Sequence, residues 1–382
     1  MPEELKGYKL GIWDETNQLQ EALMFEPGLE AYLGTLLPQE ESLFFDSFDI
    51  VKGKKEFENL VQILQELGVN VHNGRDILGT HPNFEPINAV SSQQIGDIEK
   101  ASEFGLIHSI TKKYPKADFG TVSALFYSDA TKYGLNEAYA LNYWLSFGTP
   151  LCNMYFSRDQ FNVVGNKLVA SKMKFPIRQP EVTVAAYILD KLGIHPDLEI
   201  TGPGTFEGGD MIVWNGAVYI GNGMRTSQHA IEQILPHIPK GYDLFAVKSP
   251  NGSFTEEMEI MHLDTYFMPV DKRAVLMCPE VAEQCTVFAY GKNSFHSHGN
   301  LLNTIENQGY KVLPVPKGEQ KYAAANLLVV KPGEVIVPLS SNGRTISALK
   351  EHGANIHYAE IKQLTQGWGG VHCMVGQLSR GE

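Results

Sequence analysis

The chain has 382 residues, 43% of them apolar, enough to bury a large core, and its 31 Lys and Arg against 44 Asp and Glu leave a formal charge of −13. That balance excludes a general phosphate-binding surface, and nucleic acid with it, but favours a small cationic ligand. No uncharged apolar run is long enough to cross a bilayer, no basic start precedes an apolar stretch, and the four cysteines follow no zinc-like or disulfide-like pattern, so the expectation is a cytoplasmic chain with reduced thiols and no membrane partner.

Ala22-Leu23-Met24-Phe25-Glu26 reads as a strand, turned by Pro27-Gly28. The spacing of Phe57, Leu60, Val61 and Leu64 predicts a helix over 54–66, which Gly68 stops before the strand Val69-Asn70-Val71-His72. From 76 to 150 the strand signals fade and 95–104 and 136–145 carry helical spacing. No Pro- or Ser-rich linker bounds this stretch, so it is expected to be a helical insert within a single domain. Weaker strand and helix patterns follow over 167–200, 211–247 and 266–315. The last unit is clearer: strands at 326–330 and 335–337 around Pro332-Gly333, a helix at 345–352, Gly353, then Asn355-Ile356-His357-Tyr358. Asn222-Gly223-Met224-Arg225-Thr226 is echoed by Asn342-Gly343-Arg344-Thr345. Five such units, each too small to bury its own apolar face, predict a pseudo-symmetric ring of α/β modules.

Four short segments carry chemical side chains. Asn153-Met154-Tyr155-Phe156-Ser157-Arg158-Asp159 ends an apolar run in a polar cluster, and Phe206-Glu207-Gly208-Gly209-Asp210 sets two acids around a Gly-Gly pair. In Met261-His262-Leu263-Asp264-Thr265, positions i and i+2 of a strand would put His262 and Asp264 on one face. In Gly367-Trp368-Gly369-Gly370-Val371-His372-Cys373-Met374, the glycines leave the thiol little side-chain cover, which suits a nucleophile. Each segment alone is explained by a turn, a surface ion pair or a core cysteine.

Together, in this order, the four segments resemble those of the arginine deiminases, within the larger family of guanidine-modifying enzymes. Leu43-Phe44-Phe45-Asp46, 220–233 and Lys331-Pro332-Gly333-Glu334-Val335 extend the resemblance over nearly the whole chain. It implies a five-bladed α/β propeller, the pentein, as one catalytic domain over 1–382 with the helical insert at 76–150. It also implies a hydrolase that converts L-arginine, or a related guanidine, to L-citrulline and ammonia. Cys373 would attack the guanidinium carbon and form an amidino-thioether, His262 would serve as acid and then base, and Glu207 would hold His262. Asp159 and Asp264 match the acids that grip the guanidinium.

Arg178 and Arg225 fall where the family clamps the substrate α-carboxylate, Asn153 falls where an asparagine assists, and Asp210 joins the substrate-binding set. Trp368 stands where bacterial arginine deiminases usually carry a further arginine, which leaves the exact guanidine open. The alternatives are an amidinotransferase passing the amidino group to an amine, and a non-catalytic pentein. No metal or organic cofactor is implied, since neither His357 nor His372 has further ligands at metal spacing. A homo-oligomer is compatible with the sequence but not specified by it.

Overall fold

Short apolar runs separated by turns divide the chain into strands, and the computed structural model pairs those among the described residues into five sheets. It describes residues 10–35, 37, 39–79, 151–339 and 343–381, so the insert expected over 76–150 lies outside the described residues from position 80 onward. The first unit comprises β1 (Leu19–Met24), α1 (Ile50–Glu66) and β2 (Asn70–Asn73). The second comprises β3 (Phe161–Val164), β4 (Lys167–Ala170), α2 (Gln179–Lys191) and β5 (Leu198–Glu199). The third is β6 (Met211–Trp214), β7 (Ala217–Asn222), α3 (Gln228–Ile234) and β8 (Asp243–Lys248).

The fourth unit begins with β9 (Phe267–Pro269) and β10 (Ala274–Met277), continues through the hairpin β11 (Thr286–Gly291) and β12 (Ser294–Asn300), and ends with α4 (Leu301–Asn307) and β13 (Lys311–Pro314). β14 (Leu328–Lys331), β15 (Glu334–Pro338), α5 (Arg344–His352) and β16 (Asn355–Ala359) make the fifth, and β17 (Gly376–Arg380) follows.

One connection rule recurs. The first two strands form an antiparallel hairpin, and the third lies parallel to the second after the helical crossover: β3-β4-β5, β6-β7-β8, β9-β10-β13 and β14-β15-β16. In the first unit β17 supplies the antiparallel strand to β1, and β2 the parallel one. The β11–β12 hairpin has no counterpart in the repeat pattern read from sequence; β11 pairs with β8 and widens the third sheet to five strands.

Local chemistry explains the boundaries. Asp49 caps α1 by accepting the Lys52 N–H at 3.1 Å, Ile50, Phe57, Leu60 and Leu64 are buried, and Gly68 ends the helix at φ 83°. Strands such as β6 and β10 are buried throughout, so they read as continuous apolar runs rather than as alternation. The first and fifth units even share a side-chain triad across their parallel strands. Glu21 pairs with Asn70 at 2.8 Å and His72 at 2.7 Å, and Glu334 with Asn355 at 3.2 Å and His357 at 2.8 Å.

The repeat also sets where the chemistry lies. Asp159 stands just upstream of β3, Glu207 and Asp210 of β6, His262 and Asp264 of β9, Asn326 of β14, and Cys373 of β17. Each is at the entrance to the antiparallel strand of its unit.

Candidate active site

Cys373 lies in the 3-10 turn His372–Met374 that leads into β17, and its N–H donates to Asn326 Oδ1 at 3.1 Å. The glycines around it do not uncover the thiol, contrary to the sequence expectation: Cys373 is 3% exposed. Gly367 and Gly369 are there for close packing, because a Cβ at either would meet the Phe156 ring at 2.5 or 2.2 Å. The thiol donates to Asp264 Oδ2 at 3.7 Å. Burial, then Asp264 and Asp159, pushes Cys373 well above the ordinary thiol range, so it is a neutral thiol until a cation joins it.

His262 and Asp264 do not share one face of a strand, as their spacing predicted. His262 is extended and Asp264 lies in the 3-10 turn Leu263–Thr265, whose geometry is held by the Thr265 hydroxyl donating to the His262 carbonyl at 2.7 Å. His262 Nε2 donates to Glu207 Oε2 at 2.9 Å, and Nδ1 lies 3.6 Å from Asp159 Oδ1. Burial disfavours its charge, but Asp159, the Glu207 hydrogen bond and Asp210 outweigh burial and push His262 up to about 9. It is therefore an imidazolium at neutral pH. Glu207, despite burial, is held well below the ordinary carboxylate range by Arg225, His262 and Arg178.

Arg178 and Arg225 are 3% and 1% exposed, which rules out simple surface charge. Arg178 Nη1 donates to Asp159 Oδ2 at 2.7 Å, while Nη2 donates to Glu181 Oε2 at 2.9 Å. Arg225 Nη1 donates to Glu207 Oε2 at 2.9 Å, its Nη2 faces the sulfurs of Met258 and Met261, and its guanidinium lies 4.5 Å from the Phe175 ring centroid. Asp159, Glu207 and His262 have donor atoms within 4.8 Å of one another, the grouping of a cation site. Besides the His262 imidazolium, Arg178 and Arg225 are cations paired with those acids.

A small cavity is lined by Asn153, Asp159, Arg178, Arg225, His262 and Cys373, with Leu43, Phe156 and Met261 as apolar walls. A model of the arginine deiminase family matches residues 41–380. The chain belongs to the arginine deiminase family. The arginine deiminases of Metamycoplasma hominis and Listeria welshimeri serovar 6b are 23% and 26% identical to it, over 97% of this chain and 96% and 98% of theirs. Among solved structures, the product-bound N-terminal domain of ArgZ, described as a cyanobacterial arginine dihydrolase, superposes with a TM-score of 0.60 at 14% identity, covering 94% of this chain and 97% of that one. A dimethylarginine dimethylaminohydrolase adduct gives 0.56 at 14% identity, covering 94% and 99%. These likenesses establish an α/β pentein fold built from mixed sheets.

In this arginine deiminase family chain, three residues expected at the substrate do not line the cavity: Asp264, whose carboxylate accepts from the Cys373 thiol, Asp210 and Trp368. Asp210 turns away to accept the Leu263 N–H at 2.9 Å, bracing the turn that carries Asp264, and burial pushes it up to about 6. Trp368 adopts a left-handed φ of 69° between the two cavity-lining glycines, and its ring packs edge-on against Phe45 at 5.0 Å. Asn153 lines the cavity while donating to the Ser42 carbonyl at 2.9 Å.

Sequence reasoning missed Asn326, which accepts the N–H groups of Gly370 and Cys373 and donates to the Asp264 carbonyl at 3.2 Å. Its position before β14 matches those of the other site residues, so aligning the five units would have found it. Glu181, buried against Arg178, left no signal in sequence beyond its i+3 spacing.

Proposed function

We propose that this chain hydrolyses the guanidino group of L-arginine to L-citrulline and ammonia, with Cys373 as nucleophile. The observation that carries this reading is the meeting of Cys373, His262 and Asp159 in one pocket, with Asp264 accepting from the Cys373 thiol and Glu207 bonded to His262. A guanidinium seated between Asp159 and Asp264 supplies the positive charge the thiol lacks, and the thiol releases its proton to solvent as the substrate binds. The thiolate adds to the guanidinium carbon. His262, already an imidazolium, gives its proton to the departing nitrogen and leaves neutral beside Glu207. It then takes a proton from water, whose oxygen attacks the amidino-thioether and releases the ureido product and Cys373.

The far end of the substrate falls to Arg178 and Arg225. On this reading the guanidinium displaces Arg178 from Asp159, and Arg178 keeps Glu181 and turns its freed Nη1 to the α-carboxylate. L-Arginine is then preferred over agmatine, which leaves both buried arginines without that counterion. The five sheets are read as blades of a pseudo-five-fold propeller, because each sends residues from the entrance of its antiparallel strand toward the pocket. Residues 76–150 are read as an insertion in this single catalytic domain. Four free, buried cysteines fit a reducing compartment, so the cytoplasm is its proposed location.

Incubation with L-arginine, with and without glycine or lysine, tests the reaction. Citrulline and ammonia in equal amounts, independent of an acceptor, are expected; ornithine formed only with an acceptor amine would identify an amidinotransferase, and no turnover a binding protein.

A further inference from the structure

His372 is fully buried, and each of its ring nitrogens faces a carboxylate: Nδ1 lies 2.7 Å from Asp264 Oδ2, and Nε2 lies 2.8 Å from Glu15 Oε1. At these distances a bare nitrogen would meet a bare oxygen, two acceptors in contact, so each pair needs a proton on the ring or on the acid. Glu15 does not hold one. Burial opposes its charge, yet Arg158, the His372 hydrogen bond and Arg380 hold it well below the ordinary carboxylate range. The guanidinium nitrogens of Arg158 and Arg380 lie 3.5 and 3.6 Å from its oxygens. Arg380 also orients Gln377 by donating to its Oε1 at 2.6 Å, which turns the Gln377 NH2 toward Glu15 as a further donor. The proton between His372 Nε2 and Glu15 therefore belongs to the ring.

At Nδ1 the competitor is Asp264. Asp264 Oδ2 already accepts from the Cys373 thiol, which marks it as the acceptor and the ring as the donor at this contact too. Asp264 Oδ2 is then occupied twice, by His372 and by the Cys373 thiol, whereas Oδ1 is buried with no partner among the described residues. A buried carboxylate oxygen without a donor is costly, and a ligand cation is what satisfies it.

We propose that His372 is a permanent imidazolium clamped between Glu15 and Asp264 and acts as a positioning residue, occupying one oxygen of Asp264 so that the other is presented to the substrate guanidinium. Its kinetic consequence rests on the arginine-hydrolase reading; its charge state does not. The charged groups that face it are Glu15 and Asp264 directly, with Arg158 and Arg380 behind Glu15.

Nitrogen NMR of histidine-labelled wild-type protein tests the charge state. Exposed histidines lose their charge between about pH 6 and about pH 8. Besides His262, one further imidazole is expected to stay doubly protonated over that range, to persist in His262→Asn and to vanish in His372→Gln. No such imidazole in the wild type overturns the proposal whether or not the variants fold. In the kinetic arm, folded His372→Gln is expected to raise the KM for L-arginine at least tenfold, with a smaller change in kcat, and an unchanged KM overturns the positioning role. Wild-type protein that shows the imidazolium but turns over no arginine would refute the hydrolase reading and leave the charge assignment intact.

Discussion

Asp264 Oδ2 holds the Cys373 thiol at 3.7 Å, and burial with two nearby acids keeps that thiol protonated. On the proposed reading the substrate cation is part of the nucleophile's activation. Cys373→Ala and Cys373→Ser are expected to abolish turnover with little change in melting temperature, and mass spectrometry of quenched wild-type enzyme should find the amidino adduct on this residue. Turnover by Cys373→Ala would move the nucleophile elsewhere. Asp159→Asn and Asp264→Asn each remove a charge-assisted partner worth about 1.5–3 kcal/mol, so kcat/KM should fall more than tenfold. His262 makes a pH prediction. Its proton is held more tightly in the folded state, about 9 against 6.5 unfolded, so the stability it contributes is complete below 6.5 and lost as pH rises through about 9. The melting temperature of the wild type should drop across that window, and the drop should shrink in His262→Asn.

Turns, rather than strands or helices, carry the chemistry, and their backbones are packed without spare room. At Gly208, beside Glu207, a Cβ would lie 2.0 Å from the Arg158 carbonyl oxygen and 2.8 Å from that of Phe161. Gly208→Ala must shift backbone that also holds Asp159, so both stability and kcat should fall. Asp49→Ala is the contrasting case, since it removes the partly exposed cap of α1, a carboxylate that pairs with Lys52. It should cost about 1 kcal/mol of stability and leave kcat unchanged, and chemical denaturation with a steady-state assay separates the two variants. The repeat itself is legible at this scale, with differences set by packing. Arg225 precedes α3 and Arg344 opens α5 in the two echoing segments, yet Arg225 is buried on Glu207 and Arg344 is exposed.

Across the whole molecule, the pairing of β17 with β1 joins the two ends of the chain and fixes the turn that holds His372 and Cys373. Among the described residues, the strands that precede β17 leave the first sheet without its antiparallel partner. A chain terminated after Met374 is therefore expected to lose its cooperative melt, because Arg380 and Gln377 go with β17 and Glu15 is left buried without them. A wild-type melting temperature in that truncated chain would show that β17 is dispensable.

The five-unit rhythm, the helix stops at glycine and the four chemical segments were readable along the chain, because periodicity and turn chemistry are local properties. The order of the segments was enough to recognise the family. Depth and partnership were not readable. Whether Arg178 and Arg225 lie on the surface or inside, whether Gly369 exposes a thiol or makes room for Phe156, and whether Trp368 faces the cavity or Phe45 depend on atoms far away in sequence. The β11–β12 hairpin joined a sheet belonging to the preceding unit, which no local pattern specifies. Glu15 and His372 stand 357 positions apart and meet at 2.8 Å only because β17 returns to β1. Sequence determined which groups exist and in what order; tertiary structure decided which acid faces which cation, since electrostatic pairing in a buried site depends on distances of a few ångströms.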